Sequence, residues 1–274
     1  AFNEDLPYDD FIRHQLAADR LPPEARAEVA ALGFIGLGPK YYRRNSPEVM
    51  ADEWEDRVDT LSRGILGLTV ACARCHDHKF DPIGTEDYYA LAGVFASTQM
   101  YNRPLDEQVK LDKNGEAVSE KEAMHIVREG EATDVSVMIR GDVNRLGPTV
   151  PRRFLRVLSS VEPSPFRDGS GRRELAEALV DRGNPLTARV MVNRLWGAFF
   201  GSHLVATPSN FGVKGQLPTH PELLDDLAVR WMEHGWSMKW LMREIVFSST
   251  YQQSSEQRSE AMAVDPDNRW LGRM

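Results

Sequence analysis

The sequence predicts a mainly α chain, with one helical region, a small β element and a second helical region. Three observations predict it. Apolar residues recur at steps of three and four over long stretches, as on one face of a helix. Helix-starting residues, among them Ser46-Pro47 and Ser237, stand just before those stretches. Only residues 134–140 alternate clearly as a strand should.

The elements follow in chain order. Tyr8, Phe11, Ile12, Gln15 and Leu16 give residues 8–20 a helical period, which Pro22-Pro23 ends. A second helix is expected over residues 24–32, and Gly33, Gly36 and Gly38 then mark a turn packed close to something else. Ser46 is placed to cap a long helix, with Pro47 at its first position. From there Trp54, Val58, Leu61, Ile65, Leu68 and Cys72 form one apolar stripe, predicting a helix of about seven turns that delivers Cys72 to the buried side. Residues 78–84 form a loop ended by Pro82 and Gly84, and Thr85 is expected to cap a helix through Tyr88, Tyr89, Leu91 and Val94. Residues 101–133, rich in charge, suggest an exposed insertion. Pro148, Pro151 and the Pro/Gly/Ser-rich stretch 162–171 place a domain boundary at 150/151, dividing the chain into 1–150 and 151–274. The second region is expected to hold a helix over 172–180 and one capped by Asn184-Pro185 and stopped by Gly201. A third starts in a capping box of Thr219 and Glu222, and a last one starts at Ser237.

Composition narrows the function classes. At 274 residues the chain can hold one or two domains with real cores. Its net charge of −8 argues against a nucleic-acid partner. No apolar run is long enough to span a bilayer. The opening Ala1-Phe2-Asn3-Glu4-Asp5 lacks the basic-then-apolar pattern of an export leader.

The chemistry concentrates in Cys72-Ala73-Arg74-Cys75-His76, which uses both cysteines of the chain. Cys-x-x-Cys-His is the pattern for covalent attachment of a c-type haem. Residues i, i+3 and i+4 of a helical turn share a face. Two thiols can then add to the haem vinyl groups, with His76 as proximal iron ligand. Three rivals stay open: zinc held by Cys72, Cys75 and two histidines; a thioredoxin-like pair, which lacks its βαβ context here; and two buried structural cysteines, with no chemistry. A haem would need partners for its propionates, and Arg74, Lys79 and Arg63 are candidates through charge-assisted hydrogen bonds. The sixth iron position decides between electron transfer and oxygen or peroxide chemistry. His220, at a helix start that favours neutral imidazole, is the first distal candidate. Met138, Met191, Met232 and Met238 are others. Asp77 and Asp81 invite a calcium ion but offer too few oxygens alone. The acidic run Asp52, Glu53, Glu55, Asp56 and Asp59 suits a solvated helix face better than paired catalytic carboxylates.

With those residues in view, the chain resembles the planctomycete cytochrome-like family, exported proteins with paired regions of unknown function around a Cys-x-x-Cys-His-Asp-His-Lys-Phe-Asp-Pro core. That core is Cys72 to Pro82 here. The second family region is matched by residues 184–190, 207–212, 219–224 and 234–237. The resemblance implies a cytochrome-like first region, a periplasmic or otherwise exported location, and a chain that is part of a longer protein. It implies a redox partner protein, or another cytochrome-like domain of the full-length protein, as electron donor. It supplies no activity. The leading expectation is a c-type haem electron-transfer module. The alternatives are a haem-dependent oxidoreductase acting by peroxidase-like or oxidative chemistry on an external substrate, and a haem-free structural or metal-binding protein.

Overall fold

The computed structural model describes residues 1–22, 29–38, 46–106, 108–256 and 259–272. The chain forms two compact units. One, the motif unit, comprises residues 9–64 and 68–184; the other, the C-terminal unit, comprises residues 1–8, 65–67 and 185–274.

The motif unit opens with helix α1 (Tyr8–Ala17), whose Ile12, Leu16 and Ala17 are buried. The expected helix over 24–32 lies largely outside the described residues; its end, Val29–Leu32, is a 3-10 turn leading into the single turn α2 (Gly33–Gly36). Helix α3 (Pro47–Leu61) starts as expected, with Ser46 at the N-cap and Pro47 at N1. Helix α4 (Thr85–Ala96) forms the centre of this unit. Every residue from Asp87 to Phe95 is buried, because its sequence is apolar nearly all round. Its N-cap is Gly84 rather than Thr85, and the Asp87 carboxylate accepts the Gly84 N–H at 3.0 Å.

Two features of this unit overturn the expected fold. The first is strand content. β1 (Thr98–Pro104) pairs antiparallel with β2 (Ala123–Glu129), from Thr98 opposite Glu129 to Pro104 opposite Ala123. β3 (Val135–Met138) pairs with β4 (Leu146–Val150) across a bulge between Ser136 and Met138. Among the described residues helix accounts for 46% and strand for 10%, so the protein is a mixed α/β structure and not the mainly α, cytochrome-like fold that was expected. The charges of 101–133 lie mostly in the hairpin's connection, while Ile126 and Val127 bury the inner strand.

The second feature is the broken stripe. α3 ends at Leu61, widens into a π turn at Ser62–Leu66, and stops at Gly67 in the left-handed region (φ +62°). Leu68 N–H then closes on the Ser62 carbonyl at 3.1 Å. The motif starts on a separate 3-10 turn, Val70–Arg74, with Cys75 and His76 just past its end, and Cys72 is exposed, not buried. Val58, Leu61, Ile65 and Leu68 do form core, while Trp54 is half-buried; the period alone hid the break.

After β4 the chain enters α5 (Arg172–Val180), the predicted helix over 172–180. Arg172 is fully buried at the start of α5. It forks onto Asp19 (3.0 and 2.8 Å), reaches Glu129 at 2.6 Å and donates to the Leu16 carbonyl at 3.0 Å. Burial pushes the Glu129 carboxyl up, but hydrogen bonds from Ser170 and Arg172 outweigh it and bring the carboxyl below its ordinary value. The sign of the linkage is therefore set. The stabilisation is complete above the unfolded glutamate value of about 4.3 and drains away as pH falls through the lower folded value. Urea unfolding midpoints followed from pH 5 down to about pH 2, across and below the unfolded glutamate value, will fall for the wild type, and less for Glu129→Gln.

The C-terminal unit packs α6 (Thr187–Phe200), α7 (Pro221–Glu233) and α8 (Met238–Val246) against one another, with α9 (Ser259–Val264) following. α6 ends at Gly201 and α8 starts at Ser237, as predicted; the Ser237 hydroxyl accepts the Trp240 N–H at 3.0 Å. The capping box does not form. His220 is the N-cap of α7, because Pro221 occupies its first position, and Thr219 instead donates its N–H to the Leu204 carbonyl at 2.8 Å. Tyr8, Trp231 and Trp236 cluster with ring centroids 5.0 to 6.4 Å apart.

Candidate functional site

Thr69 interrupts the helical backbone (φ −98°, ψ 54°), and the five residues after it wind as a tight 3-10 turn. Side chains three apart eclipse on such a turn. Cys72 and Cys75 are both exposed and unpaired, and His76 follows them into solvent.

His76 and His78 play different parts. The His76 Nδ1 lies 2.7 Å from the Asp77 carbonyl oxygen. Nδ1 must carry the proton there, since a carbonyl only accepts, which leaves the Nε2 lone pair for a metal. This is the ordinary arrangement of a ligating histidine. His78 is inverted. Its Nδ1 accepts the backbone N–H of Asp81 at 2.8 Å and of Phe80 at 3.3 Å, so Nε2 carries the proton and donates to Thr69 Oγ1 at 2.9 Å. Both nitrogens are used, and His78 pins the loop behind the motif. The His78 N–H also donates to the Ile83 carbonyl at 2.9 Å. Thr69→Val leaves the Nε2–H of a nearly buried ring without its partner and is expected to cost about 1–3 kcal/mol, read as a lowered urea midpoint with unchanged slope.

The charged candidates near the motif are partly engaged. Arg74 Nη1 binds Asp52 at 2.8 Å and also Glu55, both on α3. Burial alone would lower its pKa, yet these carboxylates hold the guanidinium above its ordinary value. Arg63 is paired with Asp59 at 2.6 Å. Lys79 is exposed, with Nζ 5.3 Å from the centre of the Phe80 ring. The hollow beside Cys72 is walled by Asp52, Glu55, Asp56 and Asp59. Asp77 accepts the Thr85 N–H at 2.8 Å, and Asp81 lies beside His78. Among the described residues no three His, Cys, Asp or Glu side chains gather as a metal site.

His220 belongs to the C-terminal unit, whereas the motif belongs to the other. Its Nδ1 is 3.0 Å from the Thr219 hydroxyl. Met191, Met232 and Met238 also lie in the C-terminal unit; Met138 alone of the four lies in the motif unit, where it is buried.

Three contributors escape the sequence. The Tyr89 hydroxyl sits 3.1 Å from the Arg74 carbonyl and 3.3 Å from that of Met138, tying the motif to the end of β3. Burial pushes its phenol up, so it remains a donor. Gly141 backs onto Cys75: a Cβ there would fall 2.6 Å from the Cys75 sulfur. Asp87 joins the Gly84 N–H to the buried Arg153 guanidinium at 2.7 Å. Apart from the Asp87–Gly84 cap, none has a short-range pattern, since the other partners are distant in sequence.

The donor chemistry fits a c-type haem at this site. Two exposed, unpaired cysteines and an exposed imidazole whose Nδ1 is committed to a carbonyl lie within five residues of one another, the donor set that the attachment needs. Cys72 and Cys75 would hold the porphyrin edge, and His76 would offer a strong-field ligand to iron.

Comparison with known proteins agrees with the paired-region organisation. Residues 1–100 match PSCyt2, described as a protein of unknown function (DUF1549), and residues 171–274 match PSD1, described as a protein of unknown function (DUF1553). No curated protein matches the chain, and no solved structure does. The two matches, in this order, are similar to the paired regions of unknown function that the motif strings resemble.

Proposed function

We propose that the motif unit binds one c-type haem through Cys72, Cys75 and His76 and serves as an electron-transfer module of a larger, exported protein. The observation that carries this reading is the state of His76. Its Nδ1 is committed to the Asp77 carbonyl and its Nε2 is open, on the same exposed segment as the two free thiols. A haem bound there supplies one-electron chemistry at its iron. The chain's own residues attach it, orient it and tune its surroundings. His78 and Thr69 hold the loop that carries His76, and Arg74, bound to α3, fixes the turn from the other side. Lys79 is the motif's exposed cation for a propionate. An exported location follows from where thioether attachment is made, and the electron donor is a redox protein or a further cytochrome-like domain of the same chain.

The test is an absorption spectrum with a pyridine haemochrome on acid-acetone-extracted protein from a host that matures c-type haem. A c-type band that stays with the wild-type polypeptide, and is lost from Cys72→Ala/Cys75→Ala, supports the proposal. A colourless wild type beside a correctly matured control cytochrome rejects it.

A further inference from the structure

A hollow of about 460 Å³ opens in the C-terminal unit where α7, α8 and the residues just after α8 meet. That size falls within the roughly 300–1,000 Å³ of ordinary small-molecule sites. Trp196, Leu227 and Ile245, all buried, line it together with Trp240 and the 64% exposed Phe247. Its aromatic walls are held in place from outside. The Trp196 ring stacks on Phe200 with centroids 4.1 Å apart, and the Trp240 ring stacks on His234 at the same separation. The Arg230 guanidinium lies over the Trp240 ring at 5.2 Å. Four charged side chains also face the hollow: Asp226, Arg230, Arg243 and Glu244. Three of them are spent on one another, since Arg230 binds Asp226 at 3.4 Å and also binds Glu244. Arg243 stands apart. Its side chain makes no ion pair or hydrogen bond with another described residue, and its guanidinium lies 5.3 Å from the centre of the Phe247 ring.

We infer that this hollow binds a small aromatic monocarboxylate, with its ring against the aromatic walls and its carboxylate on Arg243. The apolar lining rewards a flat hydrophobic body, which aromatic side chains meet edge-on or offset. The one cation left without a counter-charge rewards one anionic group, and a guanidinium fork takes a carboxylate through two parallel hydrogen bonds. The Phe247 contact holds that fork in place before a ligand arrives, which lowers the cost of ordering it. The Thr250 hydroxyl, which also lines the hollow and bonds no described residue, is a further donor to the carboxylate. A second negative charge on the ligand would meet Asp226 and Glu244, and a neutral ligand forfeits the Arg243 pair. Every lining residue belongs to the C-terminal unit, so the inference stands apart from the haem proposal.

The test is calorimetric titration of the full chain with cinnamate and with cinnamamide, which has the same shape without the charge. Saturable one-to-one binding of cinnamate is expected, with cinnamamide roughly tenfold or more weaker, the loss of a charge-assisted hydrogen-bonded pair. Arg243→Gln should weaken cinnamate by a similar factor, and Arg243→Lys, which retains a point charge but no fork, should fall between. Arg243 is exposed, so an unchanged urea midpoint in Arg243→Gln is expected and would show that the hollow itself is intact. The comparison of cinnamate with cinnamamide needs no variant and reads out in any case. No saturable binding of cinnamate at millimolar concentration would overturn the inference. So would equal affinity for cinnamamide, or an affinity for cinnamate that Arg243→Gln leaves unchanged. Sedimentation of the same protein closes the remaining route: a dimer that Phe247→Glu splits into monomers would put a second copy of the chain on this face instead of a small acid.

Discussion

Arg172→Ala is expected to lower the stability of the protein by about 3–5 kcal/mol, the range for breaking a buried ion pair by removing one partner. The guanidinium is fully buried and reaches three segments at once: Leu16 and Asp19 at the end of α1, Glu129 at the end of β2, and Ser170 just before α5. Its removal leaves two carboxylates facing each other without a cation and frees the Leu16 carbonyl. Asp19 and Glu129 are each about one-fifth to one-quarter exposed, so water softens the loss and favours the lower half of that range. Arg172→Met retains most of the volume and should be destabilised nearly as much, which would place the effect in charge rather than packing. Urea denaturation of the three proteins decides it: a fall in midpoint at constant slope is expected, and a change within about 0.5 kcal/mol, the scale of a neutral surface substitution, would contradict the role given to Arg172.

Asp87→Ala is expected to cost a similar amount, about 3–5 kcal/mol, and to loosen the loop behind the motif. Both side chains of the Asp87–Arg153 pair are only 3% exposed. Arg153 Nη2 already lacks a hydrogen-bond partner, so losing Asp87 strands a charge that has little other support. The same carboxylate accepts the N–H groups of Gly84 and Arg156 at 3.0 and 3.3 Å. Asp87→Asn retains an acceptor but not the charge and should fall between wild type and alanine. The added signature is local. Hydrogen exchange at Ile83, Gly84 and Thr85 should accelerate in Asp87→Ala beyond what global destabilisation explains; protection there unchanged relative to the rest of the molecule would separate Asp87 from the motif loop.

How much of this was legible in the sequence depends on how local the cause is. Helix starts and stops written in one or two residues were readable: Pro47 at N1 of α3, Gly201 closing α6, Ser237 capping α8. The break between Leu61 and Val70 was not, because Ile65 and Leu68 keep the apolar period across a π turn and a left-handed Gly67. The β1–β2 hairpin was hidden by the charge of its long connection, although Ile126 and Val127 inside it are core. The capping box at Thr219 failed for a local reason that competed with another local rule. Pro221 is suited to N1, and that displaces the cap by one residue.

The site divides the same way. Cys72, Cys75 and His76 were visible because their spacing along the chain is itself the signal. The exposure of Cys72 was not, since it follows from the helix break. His78, two residues from His76, is too close along the chain to reach the opposite face of a haem, so the sequence favours a role near the propionates or in packing, and the geometry shows both its nitrogens spent on Thr69, Phe80 and Asp81. Tyr89, Asp87 and Gly141 act across 15, 66 and 66 residues of sequence, respectively on Arg74, Arg153 and Cys75. No short-range pattern marks such partners.

The most direct test of the haem assignment is the intact mass of the wild-type chain under denaturing conditions, after expression in a host with c-type haem maturation, together with a count of alkylatable thiols. The expected result is the mass of the polypeptide plus one haem, with Cys72 and Cys75 both refractory to alkylation. The bare polypeptide mass with two reactive thiols, beside a control cytochrome fully matured in the same cells, would contradict it.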